Sequence, residues 1–213
     1  MLKGFRSKYL GQIYESFIHN GKLYLSLEYF PQGSLLDMIV KHTSLDEEHC
    51  SVIMIQLLHC LKYFHSQNKV IKNLKPGNVY LAADGSVKMF DYIIGEKFSE
   101  CFNKCKSIFV SNPYYLSPEV IKGQVNNPSS DIWSLGITCF EILTGTLPYR
   151  KFNPTKALFE IVNKPSPTLP TKDYSKIIRQ FISNCLVKNP NERATVDDLL
   201  NTKFIQKAKS KGL

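Results

Sequence analysis

The chain has 213 residues, 43% of them hydrophobic, and a formal net charge of +9. This composition supports a sizeable core in one ordinary domain or two small ones, and it excludes a wholly disordered chain. No apolar N-terminal stretch and no run of about 18 apolar residues is present, so we expect no signal peptide and no membrane span.

The charges and the cysteines point to no nucleic-acid or metal site. Lysine and arginine are scattered, and the one short basic cluster, a tail over 207–213, is interpreted as solvated because no nucleic-acid-reading motif accompanies it. The six cysteines form no C-x-x-C pair. This is typical of reduced thiols, so we expect a cytoplasmic protein, with the nucleus as the alternative.

The first 30 residues are predicted to form a β-hairpin and its exit. Residues 11–19 and 22–30 alternate in polarity, and Asn20-Gly21 between them is the strongest short signal for a hairpin turn. The alternation places three residues on one side of the first strand: Ile13, Glu15 and Phe17.

Two helices are predicted next. Ser34 is a suitable N-cap for a short helix over 35–40. Ser44 and Glu47 have the spacing of a capping box, which would open a long helix to about residue 67. His65, near the end of that helix, is interpreted as a structural histidine and not as a ligand.

The stretch from Val70 to Leu81 is predicted to be a strand, a turn and a second strand. Lys75 and Asn78 lie on the turn, where Pro76-Gly77 sets the bend. A further short strand over 87–90 leads to Asp91. A loop between apolar strands can hold polar side chains rigidly toward a cleft.

This stretch resembles the catalytic loop of protein kinases, His-Arg-Asp-Leu-x-x-x-x-Asn. The family's aspartate falls on Asn73 when the loops are aligned on Leu74, Lys75, Pro76 and Asn78. That aspartate accepts or orients the proton of the substrate hydroxyl, whereas an amide has no useful basicity. A positioned general base is worth about a hundred- to ten-thousand-fold in rate. The alternative, that Asn73 is only a polar turn residue, also leaves no carboxylate there.

The resemblance also implies a nucleotide site. The hinge Glu28-Tyr29-Phe30 would hydrogen-bond adenine through its backbone, and Leu27 and Tyr80 would line the pocket. Lys75 would contact the nucleotide beside the degenerate base position. Asn78 and Asp91 are the implied magnesium ligands.

Three later motifs follow in family order. Residues 111–119 resemble the segment Gly-Thr-Pro-x-Tyr-Met-Ala-Pro-Glu, with Asn112 in place of the threonine. Asp131 opens what resembles the buried helix that supports the catalytic loop, and it would accept bonds from backbone amides of that loop. Residues 189–195 resemble the turn whose arginine pairs with the glutamate of Pro-Glu, which would join Arg193 to Glu119.

The expected fold is α+β and protein-kinase-like, with a nearly complete helical C-lobe over 31–206 and a residual N-lobe hairpin and hinge over 1–30. The resemblance covers residues from about 10 to 205 and is closest to NimA-related and Ste20-like Ser/Thr kinases. No Gly-rich loop and no Val-Ala-x-Lys strand occurs in the sequence. We therefore expect a truncated small lobe and weak or absent binding of ATP and Mg²⁺.

The resemblance implies a pseudokinase that acts as a protein-binding or regulatory module. Its protein partners would contact the C-lobe surface and the exposed hairpin edge, and neither nucleic acid nor membrane is expected as a partner. One alternative is a fragment or degenerate form of an active ATP-dependent Ser/Thr protein kinase. Another is a decayed gene product without a selected role. Asn73→Asp alone is not expected to restore transfer, since the phosphate-binding lysine is also missing.

Overall fold

The computed structural model describes residues 7–20, 22–90 and 113–209, without the side chains of Leu23 and Lys209. Four strands and eight α-helices lie in these ranges. The strands are β1 (Ile13–His19), β2 (Lys22–Leu27), β3 (Val79–Leu81) and β4 (Val87–Met89). The helices are α1 (Leu35–His42), α2 (Glu47–His65), α3 (Pro118–Ile121), α4 (Pro128–Thr144), α5 (Pro154–Asn163), α6 (Lys176–Cys185), α7 (Val196–Leu200) and α8 (Lys203–Lys209).

The core lies around α4. Almost every residue of this helix is buried, as its continuous apolar run predicts, and α2 and α6 pack against it. A glycine directly after an apolar helical run predicts the end of the helix, and Gly145 ends α4 in the left-handed conformation, at φ +68°. Helix α8 runs to Lys209, so the first three residues of the 207–213 segment are helical. None of the helices in the described ranges is long and apolar enough to cross a membrane.

The N-terminal hairpin forms as the Asn-Gly signal predicts, with His19 opposite Lys22 across a two-residue turn. One detail of the prediction is wrong. The pairing shifts by one residue between Ile13 and Glu15, so that Ile13 lies opposite Leu27 while Glu15 lies opposite Ser26. An extra residue in one strand reverses the side on which the preceding side chain lies. Ile13 is therefore on the opposite face from Glu15 and Phe17.

Two other local predictions need correction. The N-cap of α2 is Asp46, whose carboxylate accepts the His49 amide at 2.8 Å, and the predicted capping box from Ser44 to Glu47 does not form. Glu47 instead accepts hydrogen bonds from the backbone and hydroxyl of Ser175, 128 residues away. The first predicted strand of the central stretch is also absent, because residues 70–75 are irregular and lead into a 3₁₀ turn at Pro76–Asn78.

The hairpin meets the helical lobe through a narrow joint beside β4. The Met89 amide donates to the Tyr9 carbonyl at 2.8 Å, and the Gly11 amide donates to the Met89 carbonyl at 2.9 Å. The ring of Phe90 lies directly against Gly11, where an added Cβ would come within 2.0 Å of a ring carbon. Only glycine permits this close approach. The joint attaches the hairpin to β4, the strand that pairs with β3 at the end of the central stretch.

Candidate functional site

The carboxylate of Asp131, on α4, fixes the backbone of the central loop. This carboxylate is 1% exposed and accepts the Ile71 amide at 2.9 Å and the Lys72 amide at 3.0 Å. His65 Nε2 lies 3.0 Å from the same carboxylate, which confirms the structural role predicted for that histidine. The predicted contact between Asp131 and the loop amides is therefore present. It holds Lys72 at φ +66°, a conformation that a lysine rarely adopts unless its surroundings impose it.

Asn73, Lys75 and Asn78 lie close together on the central loop. Lys75 precedes the 3₁₀ turn and is half-buried. The amide nitrogen of Asn78 donates to the Asn73 backbone carbonyl at 2.9 Å, and the Asn78 carbonyl accepts the Phe90 amide at 2.8 Å. Since Asn78 Nδ2 is a donor here, its Oδ1 is the atom that could ligate a cation. The Asn73 side chain is half-buried and carries no carboxylate, whichever way it points.

The hinge presents backbone groups that could recognise a planar base. The Glu28 amide donates to the Gln12 carbonyl at 2.8 Å, and the Phe30 carbonyl accepts the Gly33 amide at 3.0 Å. Within the described ranges, no hydrogen bond uses the Glu28 carbonyl or the Phe30 amide. The Glu28 carbonyl is an acceptor, and the Phe30 amide, two residues further along the chain, is a donor. Such a pair matches the donor and acceptor groups on the edge of a purine. The backbone therefore fits the adenine contact that the resemblance implies.

The side chain of Glu28, in the hinge, forms contacts with other parts of the fold. The Glu28 carboxylate forms an ion pair with Lys88 on β4 and accepts the Gln12 amide at 3.0 Å. Both side chains of the Glu28–Lys88 pair are largely buried, so removal of either one would leave an unpaired charge between the hairpin and the lobe. Leu27, at the end of β2, remains 39% exposed.

Three aromatic rings meet where the hinge faces the lobe. The Phe30 and Tyr80 ring centroids are 5.1 Å apart, and the ring of Phe90 packs edge-on against both at 6.1 and 6.0 Å. Edge-to-face and tilted packing at these distances is favourable. Phe30 and Tyr80, both predicted to face the nucleotide, are thus brought together. Phe90 joins them, although its position in the sequence gave no sign of this contact.

A buried ion pair connects the turn before α7 to the first turn of α3. Arg193 donates from Nη1 to Glu119 Oε1 at 2.7 Å and from Nη2 to Oε2 at 2.9 Å, as predicted from the motif. Burial raises the pKa of Glu119, but the hydrogen bonds and charge of Arg193 outweigh it and hold the pKa below the usual value. Glu119 is therefore ionised in the folded chain at neutral pH.

A second buried carboxylate lies on α4. The Tyr115 hydroxyl donates to Glu141, whose pKa is raised mainly because burial disfavours its charged form. The Tyr114 hydroxyl donates to the Phe152 carbonyl at 3.0 Å. These bonds fix Pro113–Tyr115 against α4 and α5. Asn112, which stands in place of the family's threonine, lies outside the described residues.

The fit to a bound nucleotide and metal is incomplete. The hinge backbone, Tyr80, Lys75 and Asn78 carry groups that could contact a nucleotide and its cation, and bound ATP would supply the phosphoryl group for transfer. Asp91, the other implied magnesium ligand, lies outside the described residues. Among the described residues, no group of three or more His, Cys, Asp or Glu side chains could hold a metal ion. Asn73 does not fit the role of general base.

Sequence reasoning missed the contacts that join distant segments. The Glu28–Lys88 pair spans 60 residues, and Gln56 on α2 accepts the Val87 amide at 2.8 Å. No local pattern predicts either bond. Gly11, at the start of a predicted strand, was a sequence signal that another part of the chain could approach the backbone closely there.

Comparisons with known proteins agree with this geometry. A sequence model described as protein kinase domain matches residues 1–205. The chain is 36% identical over 201 residues to the serine/threonine-protein kinase ppk11 of Schizosaccharomyces pombe, an alignment that covers 94% of the chain and 64% of the relative. It is 33% identical to cst-1 of Caenorhabditis elegans over 95% of the chain and 41% of the relative. It is 34% identical to dst1 of Dictyostelium discoideum over 93% and 27%.

The chain thus spans between about a quarter and two thirds of the length of these relatives, all of which are described as serine/threonine-protein kinases. The family match, in contrast, extends over nearly all of the 213 residues. Together with the loop held by Asp131 and the Arg193–Glu119 pair, this match shows that the chain belongs to the protein kinase domain family.

Proposed function

We propose that this domain is a pseudokinase, a kinase-like fold that binds other proteins and does not transfer phosphate. The observation that carries the proposal is Asn73. In the alignment with the family, this residue occupies the position of the catalytic aspartate. The backbone of its loop is fixed by hydrogen bonds to the Asp131 carboxylate and from the Asn78 side chain. A neutral amide at that point cannot accept the proton of a substrate hydroxyl.

The neighbourhood of Asn73 supports the same conclusion. Asp131, the carboxylate described at this loop, already accepts the Ile71 and Lys72 amides and lies beside His65, so it serves the backbone of the loop. A substitute base would have to come within about 3 Å of the substrate hydroxyl. The scaffold of the loop is thus retained without the group that performs the proton transfer.

The hairpin supports a role in protein binding. Four large side chains of β1 and β2 are between 43% and 76% exposed: Tyr14, Phe17, Ile18 and Tyr24. Clusters of exposed apolar side chains on a soluble domain often mark interaction sites. We include the surface of the helical lobe and the open edge of this hairpin among the proposed contact surfaces. The four cysteines of the described ranges are free and buried, which fits a reducing compartment such as the cytoplasm.

The second candidate is a degenerate or partial form of an active Ser/Thr protein kinase. It is favoured by the names of the relatives and by the hinge, whose unused Glu28 carbonyl and Phe30 amide match a purine edge. Under this alternative, a water molecule or another chain segment would replace the missing base. A rate reduced by about a hundred- to ten-thousand-fold would then remain measurable.

Transfer of radiolabelled phosphate from ATP to generic protein substrates decides between the two candidates. We expect no incorporation above that of the Asn78→Ala variant, in which the proposed cation ligand is removed. Incorporation by the unaltered chain that Asn78→Ala abolishes would refute the pseudokinase proposal. The Asn73→Asp variant then measures whether the carboxylate is the only deficit, and we expect it to remain inactive.

Nucleotide binding is a separate measurement. We expect the unfolding temperature of the chain to change little with millimolar ATP and Mg²⁺. A clear Mg²⁺-dependent increase that is lost in Asn78→Ala would show that the cleft binds nucleotide, and the pseudokinase would then be one that binds ATP without using it. Comparing ATP alone with ATP and Mg²⁺ separates contacts of the base from contacts of the metal.

A further inference from the structure

A cleft on the lower lobe, far along the chain from the central loop, carries positive charge without a matching carboxylate. Its volume is about 330 Å³, and it opens between α3 and the turn that follows α6. Its charged and polar walls come from Glu119, Lys122, Gln124, Lys188 and Asn189. No residue of the central loop or the hinge lines this cleft.

The one carboxylate in the cleft wall is that of Glu119, and it is already paired with Arg193. Glu119 accepts both Nη1 and Nη2 of Arg193, at 2.7 and 2.9 Å, and the Ser130 hydroxyl at 3.2 Å. Its charge is therefore cancelled by Arg193. Within the described ranges, no carboxylate forms an ion pair with Lys122 or Lys188. The cleft thus keeps the charge of two ammonium groups.

Lys188 is the more unusual of the two lysines. Its ammonium group lies 5.4 Å from the centroid of the Trp133 ring, which Arg193 also contacts at 5.2 Å. It donates to the Ile161 carbonyl in the last turn of α5, which uses one of its three N–H groups. Partial burial, and after it the charges of Lys122 and Arg193, lower the pKa of Lys188. A cation in this setting would be stabilised by an anion.

One acidic side chain lies at the rim. Asn189 Nδ2 donates to Glu192 Oε1 at 2.6 Å, so this exposed glutamate is held beside the cleft. It does not reach either lysine within ion-pair distance. Its negative charge should oppose the entry of an anion and offers a test with the opposite sign from that of the lysines.

From this arrangement we infer that the cleft is a binding site for a phosphate group, either free or on a phosphorylated side chain. A phosphate monoester carries nearly two negative charges near neutral pH and presents three acceptor oxygens. Two ammonium groups match that charge, and the free N–H groups of Lys188 and Lys122 can donate to those oxygens. The inference concerns a surface away from the central loop, so it holds whether or not the domain transfers phosphate.

The experiment is an NMR titration of the ¹⁵N-labelled full chain with sodium phosphate at constant ionic strength. A second arm uses the peptide acetyl-Gly-phosphoSer-Gly-amide, with the unphosphorylated peptide as its blank. We expect saturable shifts in the amides of 119–124 and 187–192 with either phosphate probe and none with the blank. Tighter binding of the phosphopeptide would assign the site to a phosphorylated segment, and equal or tighter binding of phosphate would assign it to the free ion.

Four variants test which side chains contribute to phosphate binding. Lys188→Met should weaken phosphate binding by about tenfold or more, since it removes a partly buried charged donor. Lys122→Met should weaken it by about two- to fivefold, because that lysine is exposed. Glu192→Gln should strengthen binding. The matched control Lys151→Met, which removes the same charge from an exposed lysine outside the cleft, should leave binding unchanged.

Three results would overturn the inference: no saturable shift in these two segments, an equal loss of affinity in Lys151→Met and Lys122→Met, or weaker binding in Glu192→Gln. Because Lys188 lies against Trp133, its variant could unfold. The exposed Lys122 and Glu192 variants keep the test decisive in that case. A second readout in the unaltered chain is the pKa of Lys188, which bound phosphate should raise.

Discussion

The hairpin of β1 and β2 and the helix α4 show opposite ways of placing apolar side chains. Along α4, thirteen of the seventeen residues are buried, including Trp133, which is not exposed at all. Along β1, six of seven residues are exposed, and Ile18 reaches 76%. The helix is surrounded by its own domain, whereas neither face of the hairpin is covered within the described ranges.

This difference indicates where stability lies. A two-stranded hairpin is marginal by itself in water, so β1 and β2 depend on the joint at Gly11 and Met89 and on the Glu28–Lys88 pair. Helices α2, α4 and α6 take no part in these contacts. We therefore expect the hairpin to open locally while the lobe remains folded, and the predictions below test whether the two regions can be separated.

The largest effect is expected from Asp131→Ala. The change leaves the buried Ile71 amide and the Lys72 amide without an acceptor and removes the partner of His65. Loss of a buried charged acceptor costs about 3–5 kcal/mol, a large fraction of the free energy of unfolding of a typical domain. Urea denaturation followed by circular dichroism measures it. Since the helical lobe itself is affected, the whole transition should move.

Asp84→Ala is the control for that change. Asp84 is exposed and accepts the Ser86 amide at 2.9 Å inside a turn. Its removal should shift the free energy of unfolding by less than about 1 kcal/mol. An Asp131→Ala chain as stable as Asp84→Ala would mean that the central loop does not depend on Asp131.

Gly11→Ala should separate the two regions. The new Cβ would lie 2.0 Å from the Phe90 ring, so the joint must shift, at a cost of about 1–3 kcal/mol for overpacking. Hydrogen exchange should then accelerate in β1 and β2 but not in α4. Phe90→Leu, which shortens the opposing side chain, should recover part of the loss in the double variant. Equal acceleration in both regions would show that the hairpin and lobe unfold together.

Much of the fold could be predicted because its signals are local or family-specific. Asn20-Gly21 defined the hairpin turn, and Gly145 defined the end of α4. The Arg193–Glu119 pair was predicted from two motifs that lie 74 residues apart, because the resemblance supplied their relation. Local chemistry and family motifs were thus sufficient for the helical lobe.

The remaining contacts depend on tertiary structure that no local pattern encodes. Ser44 and Glu47 have capping-box spacing, but Asp46 takes the cap and Ser175 binds Glu47. The loop before Lys75 has strand-like composition, yet Asp131 satisfies its amides in an irregular conformation. In each case a distant polar side chain competed successfully with the locally expected bond.

The two buried glutamates of the lobe should respond oppositely to pH. The pKa of Glu119 is lowered, so its contribution to stability is present above the unfolded pKa of about 4.3 and is lost as the pH falls through the folded value. The pKa of Glu141 is raised in the folded chain. Its ionisation therefore lowers the free energy of unfolding as the pH rises from the unfolded pKa through the folded pKa. Urea denaturation between pH 3 and 7 measures both, on the scale of about 1 kcal/mol per unit of pKa difference.

Glu119→Gln and Glu141→Gln assign these two slopes. The first variant should flatten the loss of stability below about pH 4.3, and the second should remove an opposing slope at higher pH. Both glutamates lie in the helical lobe, so hydrogen exchange in β1 and β2 should not change with either variant. A change of the acid slope in Glu141→Gln but not in Glu119→Gln would contradict the assignment.

The smallest effect is expected from Phe17→Ala in the hairpin. Phe17 stacks on Tyr24 across the strands with ring centroids 5.2 Å apart, while remaining 52% exposed. Such a cross-strand aromatic pair contributes about 0.2–1 kcal/mol, and the loss should appear as faster exchange in β1 and β2 without a shift of the global unfolding transition. Phe181→Ala, at a fully buried position of α6, is the contrasting change, and it should lower global stability by about 3–5 kcal/mol. If Phe17→Ala moved the global transition as far as Phe181→Ala does, the hairpin would be an integral part of the core, and its exposed face could not be the separable surface proposed for partner binding.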